Sequence, residues 1–488
     1  MTASFLQSSV LATILLFGEG LNLISAPHQA TGFKVGEVSA DRAIIWTRLT
    51  RNSAPNPPGS GLFEIQYKEG GSKPKAAVTG VTFPPGKSAD DIDYAVPGIA
   101  GETRVRYRPF GQEMWQETAW MAVEPEWDFT RQHVIQTLTP ATRYEIEVES
   151  RSLDDSGAGD TQSGSFVTAP AADDAATPVV FTVSTGQAFR DRNSDEGYLI
   201  YDAMLAIPDL SFFVHTGDIV YYDREAKTRD LANWHWQRTY SLPTNVRFHR
   251  QVASYFIKDD HDTWTNDCWS TMKAPSMGTF TWAEGLALFP HQVPMNGDNT
   301  IRTRRWGKHL QVWMVEGRDF RSPNTDPDGP EKTIWGAEQK AWFKKSFAES
   351  DATFRILISP TPLVGPDRDN KNDNHANRGF THEGDEIRAF LSEQKDAFVV
   401  CGDRHWQYHS IHPKSGVQEF SCGPASEKHA GGWQKSDFRE DYHQFLRVQG
   451  GFLSVRTESI DDTPTLTFRF HDESGEVDYE KSFTPTKP

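Results

Sequence analysis

Cysteine is scarce: Cys268, Cys401 and Cys422 are the only three in 488 residues, and no Cys-x-x-Cys occurs. An odd and small count implies no disulfide framework, and at most one pair could form. Basic residues are outnumbered, 50 against 67, for a formal charge of −17. That disfavours non-specific nucleic-acid binding, which needs a basic surface. An anionic substrate stays compatible, because bound cations reverse a local field. Internal repeats are lacking, and nothing after the N-terminus approaches the ~20 consecutive apolar residues of a membrane span. No Lys or Arg precedes Lys34, so the basic start of a secretory signal is missing. The apolar stretches 10–16 and 21–24, closed by Ser25 and Ala26, still fit one. Residues 1–26 are therefore read as a signal peptide, and the protein as secreted, periplasmic or held in the cell envelope.

What is plentiful is core material. Aromatics reach 12%, with 15 Trp, and the length suffices for two or three domains. Residues 31–170 read as an all-β sandwich. Short strand-like runs at 43–46 and 63–67 are punctuated by Pro–Gly turns. The alternating segment 138–148 resembles the tyrosine-corner segment of fibronectin III sandwiches, with Tyr144 tying its strand to the backbone just upstream. Residues 164–170 read as the closing strand, and 102–127, rich in Trp and Arg, stay unassigned. A small, polar linker follows at 171–178. From 179 to 484 strands alternate with helices, including helices at 336–350 and 386–392, which argues for α/β layers. The tail, 452–483, returns to alternating strands and reads as an edge of the same sheet system.

Three apolar strand-like runs end in acidic or acidic–imidazole tips. Residues 210–214 run into Gly217 and Asp218. Residues 255–257 run into Asp259, Asp260, His261 and Asp262. Residues 398–401 run into Gly402, Asp403, Arg404 and His405. In layered α/β folds ligands sit at the carboxyl ends of strands, and hard oxygen donors mixed with imidazole suit divalent or trivalent cations. Each signal has a plain alternative. A lone Gly–Asp is most often a turn, and Tyr221 alone is a core tyrosine. The Asp259 to Asp262 run could be a solvated acidic loop, yet four contiguous ionisable groups at the end of an apolar run are costly to desolvate without a cation. Asn266 and Asp267 lie close enough to add oxygen ligands. Asp403 and His405 would point the same way from an extended backbone.

Taken together, Gly217-Asp218-x-x-Tyr221, Asp259-Asp260-His261-Asp262-x-x-x-Asn266-Asp267 and Gly402-Asp403-Arg404-His405 resemble the PhoD-type alkaline phosphatases of the calcineurin-like metallophosphoesterase superfamily. The stretch from Glu316 through Arg318 to Phe320 is similar to that family's Asp-x-Arg segment, and 333–339 to its helix start. The resemblance covers most of residues 31–484. It implies a layered α/β (α+β) metallophosphoesterase domain with helices outside, at 179–484, preceded by the fibronectin III-like sandwich. It implies Asp218 as bridging ligand and Tyr221 as an iron-type phenolate ligand. Asp260, Asn266, Asp403 and His405 would complete the metal shells. His261 would be general acid or phosphate binder, and Arg318 a substrate contact or a structural ion pair. The implied cofactors are Ca2+ and Fe3+, with Mn2+ or Zn2+ as alternatives, and Asp403, where many superfamily members carry His, favours calcium. The implied reaction is hydrolysis of small-molecule or lipid phosphate esters, mono- or di-, by attack of a metal-bound hydroxide.

One position departs from that pattern. Where the family has Ser-Cys-Gln, with the Cys as an iron ligand, this chain has Ser184, Thr185, Gly186 and Gln187. Gly186 supplies no ligand. Either that metal position is under-coordinated, or it holds a different ion, or it recruits a side chain from elsewhere. His375 is one candidate recruit, with an ordinary surface-loop histidine as the alternative. The same gap motivates a second functional reading, an extracellular binding module whose phosphatase domain has weakened.

Overall fold

The computed structural model describes residues 26–68, 76–154, 158–295, 297 and 300–486. The N-terminal stretch read as a signal peptide lies almost wholly outside these residues. Two large sheets face each other across a common core. The first has nine strands. Its centre is the parallel set Val179–Ser184, Leu210–His215 and Ala253–Phe256, flanked on one side by the antiparallel tail strands Gly451–Ile460, Thr463–Asp472 and Val477–Phe483. The second has seven strands. Leu310–Met314, Phe354–Ser359, Ala397–Cys401 and Gln418–Cys422 run parallel within it.

Side-chain alternation builds the layers. Phe212 and Val214 face the second sheet, whose Ile356 and Ile358 come from the opposite side. Phe213, one residue out of phase, turns outward to pack with Ile200, Tyr201 and Met204 of the helix Leu199–Leu205. Leu357 and Val399 likewise face outward against Phe343, Phe347, Ile387 and Leu391 of the helices Gly336–Ala348 and Thr381–Ser392. Strands buried on both faces read as near-continuous apolar runs. The inter-sheet core is rich in rings: Phe212 stacks on Phe181 and Trp306, and Phe420 on Phe468. The helix expected at 386–392 begins earlier, at Thr381. Its first turn is polar and carries Glu383, whose carboxylate accepts from the Ile334 N–H at 2.6 Å. A tertiary contact, not an apolar period, sets that end.

The all-β region is present as a sandwich, and one of its sheets is part of the nine-stranded sheet. Phe33–Gly36 pairs parallel with Ala253–Phe256 and antiparallel with Arg42–Arg48, which pairs with Thr130–Gln136. Facing them are Glu102–Pro109, Arg143–Arg151 and Ala158–Val167. Val105, Ile146 and Phe166 of that second layer belong to the same core cluster as Phe33 and Val35. Residues 171–178 thus separate two stretches of sequence that share a sheet. The unassigned 102–127 segment supplies an inner strand of the outer layer, Glu102–Pro109, and two short strands paired to it. Its arginines form a ladder with Glu145, Glu147 and Glu149, and Trp115 and Trp120 lie over Arg106, Arg108, Arg104 and Arg151. Tyr144 makes the expected corner: its hydroxyl accepts from the Thr139 N–H at 2.9 Å. No helix of the described residues is long and apolar enough to cross a membrane.

Two outcomes follow from the sandwich. Tyr144→Phe leaves the Thr139 N–H without its acceptor and should lower unfolding free energy by about 1–2 kcal/mol in denaturant melts. His133 is buried between Thr103 and Thr118, and burial, with Arg131 adding to it, lowers its pKa to about 4. A histidine whose folded pKa is depressed contributes stability that is intact above its unfolded value of about 6.5 and is lost as pH falls toward the folded value. Between pH 7.5 and 4.5 the wild type should therefore lose about 2 kcal/mol more than His133→Gln.

Candidate metal and phosphate site

The parallel strands of both sheets end on the same side, and their tips meet. Thr185, just past Val179–Ser184, bridges to Pro424 beyond Gln418–Cys422. Asp218 and Asp403 each follow a glycine at a strand end with φ of 57° and 61°, a left-handed conformation that Asp tolerates better than most residues. Gly217 permits the tips to touch: a Cβ there would lie 2.5 Å from Asp259 Cβ. The chain from Asp403 to His405 is consequently a bend and not the extended segment expected. Both residues reach the site through the turn.

Asp218, Asp260, His261, Asn266, Asp403 and His405 all line one cavity of about 280 Å³. One ligand atom from each of Asp218, Asp260 and His261 lies within 4.8 Å of the others. Tyr221 sits against them, its hydroxyl donating to Asp218 Oδ2 at 3.0 Å, with His405 Nε2 at 3.4 Å. Asp218 Oδ1 is buried and without a hydrogen-bond partner among the described residues. A buried, unpaired carboxylate oxygen facing further carboxylates is disfavoured unless a cation compensates. The donor set, carboxylates with amide, phenol and imidazole, fits hard divalent or trivalent ions.

The electrostatics express the same demand. Burial raises Asp218 to about 6, with Asp260 adding to the rise while His261 opposes it. Asp260 is driven the other way. Burial pushes its pKa up, but Arg318, His261 and the Asp267 N–H hold it well below the usual carboxylate range. His261 is raised well above its ordinary value. Burial works against its charge, and Asp223, Asp260 and Asp218 outweigh it, Asp223 accepting from Nδ1 at 3.0 Å. His405 is lowered to about 3, first by burial and then by His261, so it presents a lone pair.

Two sequence expectations change. Arg318, a candidate substrate contact, is fully buried behind the cavity. Its Nε donates to Asp259 Oδ1 at 2.6 Å, and it pairs with Asp260 at 3.8 Å. It positions the acidic run, and the structural ion-pair reading is the one that holds. His375, the candidate replacement at Gly186, is buried elsewhere, bonded to Glu383 Oε2 at 2.9 Å. Other groups at the site escaped the sequence reading. Asp223 orients His261. Arg368 and Lys371 line the cavity from a loop without periodicity, and Lys371 is held by Asp267 at 3.3 Å. His429 reaches Tyr221 from the loop beyond Gln418–Cys422. The signal available for it was a fourth strand end, Cys422 followed by Gly423 and Pro424.

A two-sheet sandwich with helices outside and an Asp/His/Tyr cluster at its strand tips defines a metallophosphoesterase. The family model of the PhoD-like phosphatases matches residues 181–479, and the chain belongs to that family. Among solved structures, that of PhoD is similar over 93% of this chain and 90% of that one, with a TM-score of 0.68 and 14% identity. The purple acid phosphatase PPD1 from yellow lupin (Lupinus luteus) seeds is similar over 91% and 80%, with a TM-score of 0.59 and 12% identity. At these identities the likeness is one of fold. A comparison with curated proteins found no match.

Removing Arg318 tests its positioning role. Arg318→Met leaves Asp259 and Asp260 without their buried counter-charge and should destabilise the protein by about 3–5 kcal/mol. Asp259→Asn added to it should recover part of that loss in thermal melts, whereas strictly additive effects would show that the pair does not interact.

Proposed function

We propose that this phosphatase hydrolyses phosphodiesters as well as monoesters, at the cavity where Asp218, Asp260 and His261 converge. That convergence, with Asp218 Oδ1 buried and unpaired, is the observation that carries the reading. Asp218 would bridge two cations, with Tyr221, Asp260, Asn266, Asp403 and His405 as further ligands. The phenolate suits Fe3+ and the carboxylate-rich side suits Ca2+, with Mn2+ or Zn2+ as alternatives. When bound, such ions neutralise phosphoryl charge and lower the pKa of a coordinated water.

The chain's own residues supply the rest. His261, held by Asp223 at 3.0 Å from its Nδ1, would donate its proton to the departing alkoxide. Arg368 and Lys371 would bind the non-bridging phosphoryl oxygens, replacing water around the anion with fixed charge. Arg368 and Gly432 also line an adjoining groove with Trp433, Phe438 and Arg439. That groove gives the second ester substituent of a diester a place to lie, and this supports diester competence. The substrate class would be small-molecule or lipid phosphate esters, met outside the cytoplasm if residues 1–26 direct export.

Hydrolysis of bis-p-nitrophenyl phosphate and p-nitrophenyl phosphate tests this directly. Turnover of both should vanish on chelation and return with Ca2+ plus Fe3+, or with Mn2+ or Zn2+. Asp218→Asn should lower kcat by about 10³-fold or more, on the scale of losing a centre of transition-state charge stabilisation. His261→Ala should impair alkyl esters, which need leaving-group protonation, more than nitrophenyl esters. Undiminished turnover by Asp218→Asn, or a stable phosphoenzyme, would overturn the mechanism.

A further inference from the structure

Gly186 lies at the end of Val179–Ser184, with φ +53°, and it faces two imidazoles. A Cβ at this position would sit 3.0 Å from His429 Cδ2, 3.3 Å from His429 Nε2 and 3.5 Å from His405 Cδ2. The space that any side chain at 186 would enter is filled by His429, and the imidazole fits there because residue 186 has no side chain.

His429 is held as a metal-bound imidazole is held. It is buried, with 6% of its side chain exposed, and its Nδ1 lies 2.7 Å from Asp191 Oδ2. An ionised carboxylate can only accept. Nδ1 therefore donates, and the lone pair of Nε2 is directed at the Tyr221 hydroxyl. Pairing of the distal imidazole N–H with a carboxylate is the usual way a ligating histidine is fixed in tautomer and direction. The loop that carries it is laced to the strand tip. The Ala425 N–H bonds Gly186 O at 3.1 Å, and Ser426 Oγ donates to Asp191 O at 2.6 Å.

The atoms around Tyr221 Oη then have a surplus of lone pairs. Its single hydroxyl hydrogen faces both Asp218 Oδ2, at 3.0 Å, and the Nε2 of His429, whose Nδ1 hydrogen is directed at Asp191. His405 Nε2 is 3.4 Å from both Tyr221 Oη and Asp218 Oδ2. Asp218 Oδ2, Tyr221 Oη and His405 Nε2 thus stand 3.0–3.4 Å apart, about the separation of neighbouring ligands on an ion with bonds near 2.1 Å, and His429 Nε2 lies 2.5 Å from Tyr221 Oη.

We propose that His429 is a metal ligand of this protein, taking the coordination position that Gly186 leaves empty and sharing one ion with Tyr221, Asp218 and His405, while Asp191 positions its ring. The inference rests on the metal-dependent reading above, but its tests read metal and not turnover. Protein stripped by chelation and reloaded with Fe3+ alone should bind the ion and show the visible absorption of a phenolate–iron pair. His429→Ala should bind Fe3+ at least 10-fold more weakly, or show the band shifted or lost, while circular dichroism and Ca2+ binding stay unchanged. Asp191→Asn should also weaken Fe3+ binding, by a smaller factor than His429→Ala does. Gly186→Cys with His429→Ala, which puts a thiolate where the imidazole stood, should recover Fe3+ binding with a different spectrum. Should His429→Ala not fold, His429→Gln serves in its place, and addition of free imidazole should restore the band in either. Fe3+ affinity and spectrum unchanged in His429→Ala would overturn the proposal, as would wild-type protein that binds no Fe3+. Wild type that binds Fe3+ through His429 but hydrolyses no phosphate ester would sink the functional reading and leave this one standing.

Discussion

Burial of Asp259, Asp260 and Asp262, with half-buried His261 among them, is the constraint on which the rest of the site depends. Each is satisfied in its own way. Asp259 takes the Arg318 guanidinium. Asp260 accepts from the N–H groups of His261, at 3.0 Å, and Asp267. His261 leans on Asp223. Asp262 accepts from the backbone N–H groups of Ile219, at 3.0 Å, and Asp259, at 2.6 Å, so one carboxylate ties the Asp218 tip to the next strand's tip. Desolvating such a run without these partners would cost several kcal/mol per charge. Asp218 Oδ1 and Asp259 Oδ2 are left buried without a hydrogen-bond partner; of the two residues, Asp218 lines the cavity, and the chemistry is built there.

The N-terminal region takes part in holding that arrangement. Phe33–Gly36 pairs with the strand that delivers the acidic run, Gly36 opposite Ser254. Glu37, just beyond, binds Arg302 and Arg304 of the second sheet. Lys34 is buried over the rings of Trp46 and Tyr240, with its ammonium donating to Gln292 O at 3.1 Å, and burial lowers its pKa well below the usual value. The sandwich is thus a lateral extension of the nine-stranded sheet, joined to it by backbone pairing.

Much of the fold was legible in sequence because its signals are local. Buried parallel strands are apolar runs, turns carry Pro and Gly, and Tyr144 sits in a recognisable corner. Motif residues were legible for the same reason: Asp218, Asp260, His261, Asp403 and His405 ride directly on strand ends. Arg318 was visible as a motif residue but not as a buried one, since an arginine beside acidic groups has the same sequence whether it faces substrate or stands behind the ligands. The sharing of a sheet across 171–178 was hidden, because parallel pairing between Gly36 and Ser254 leaves no trace in either segment.

Local pattern therefore determined the layered architecture and the acidic and imidazole groups at the strand tips, which follow from short-range periodicity and spacing, while the resemblance of the motifs pointed to the family. Only the tertiary structure decided between His375 and His429. Both are lone histidines in polar loops, and nothing within either segment distinguishes them. The choice depends on which loop passes the empty face of Gly186, where a Cβ would lie 3.0 Å from a ring 243 positions away, and that is set by how the strand ends of one sheet meet those of the other.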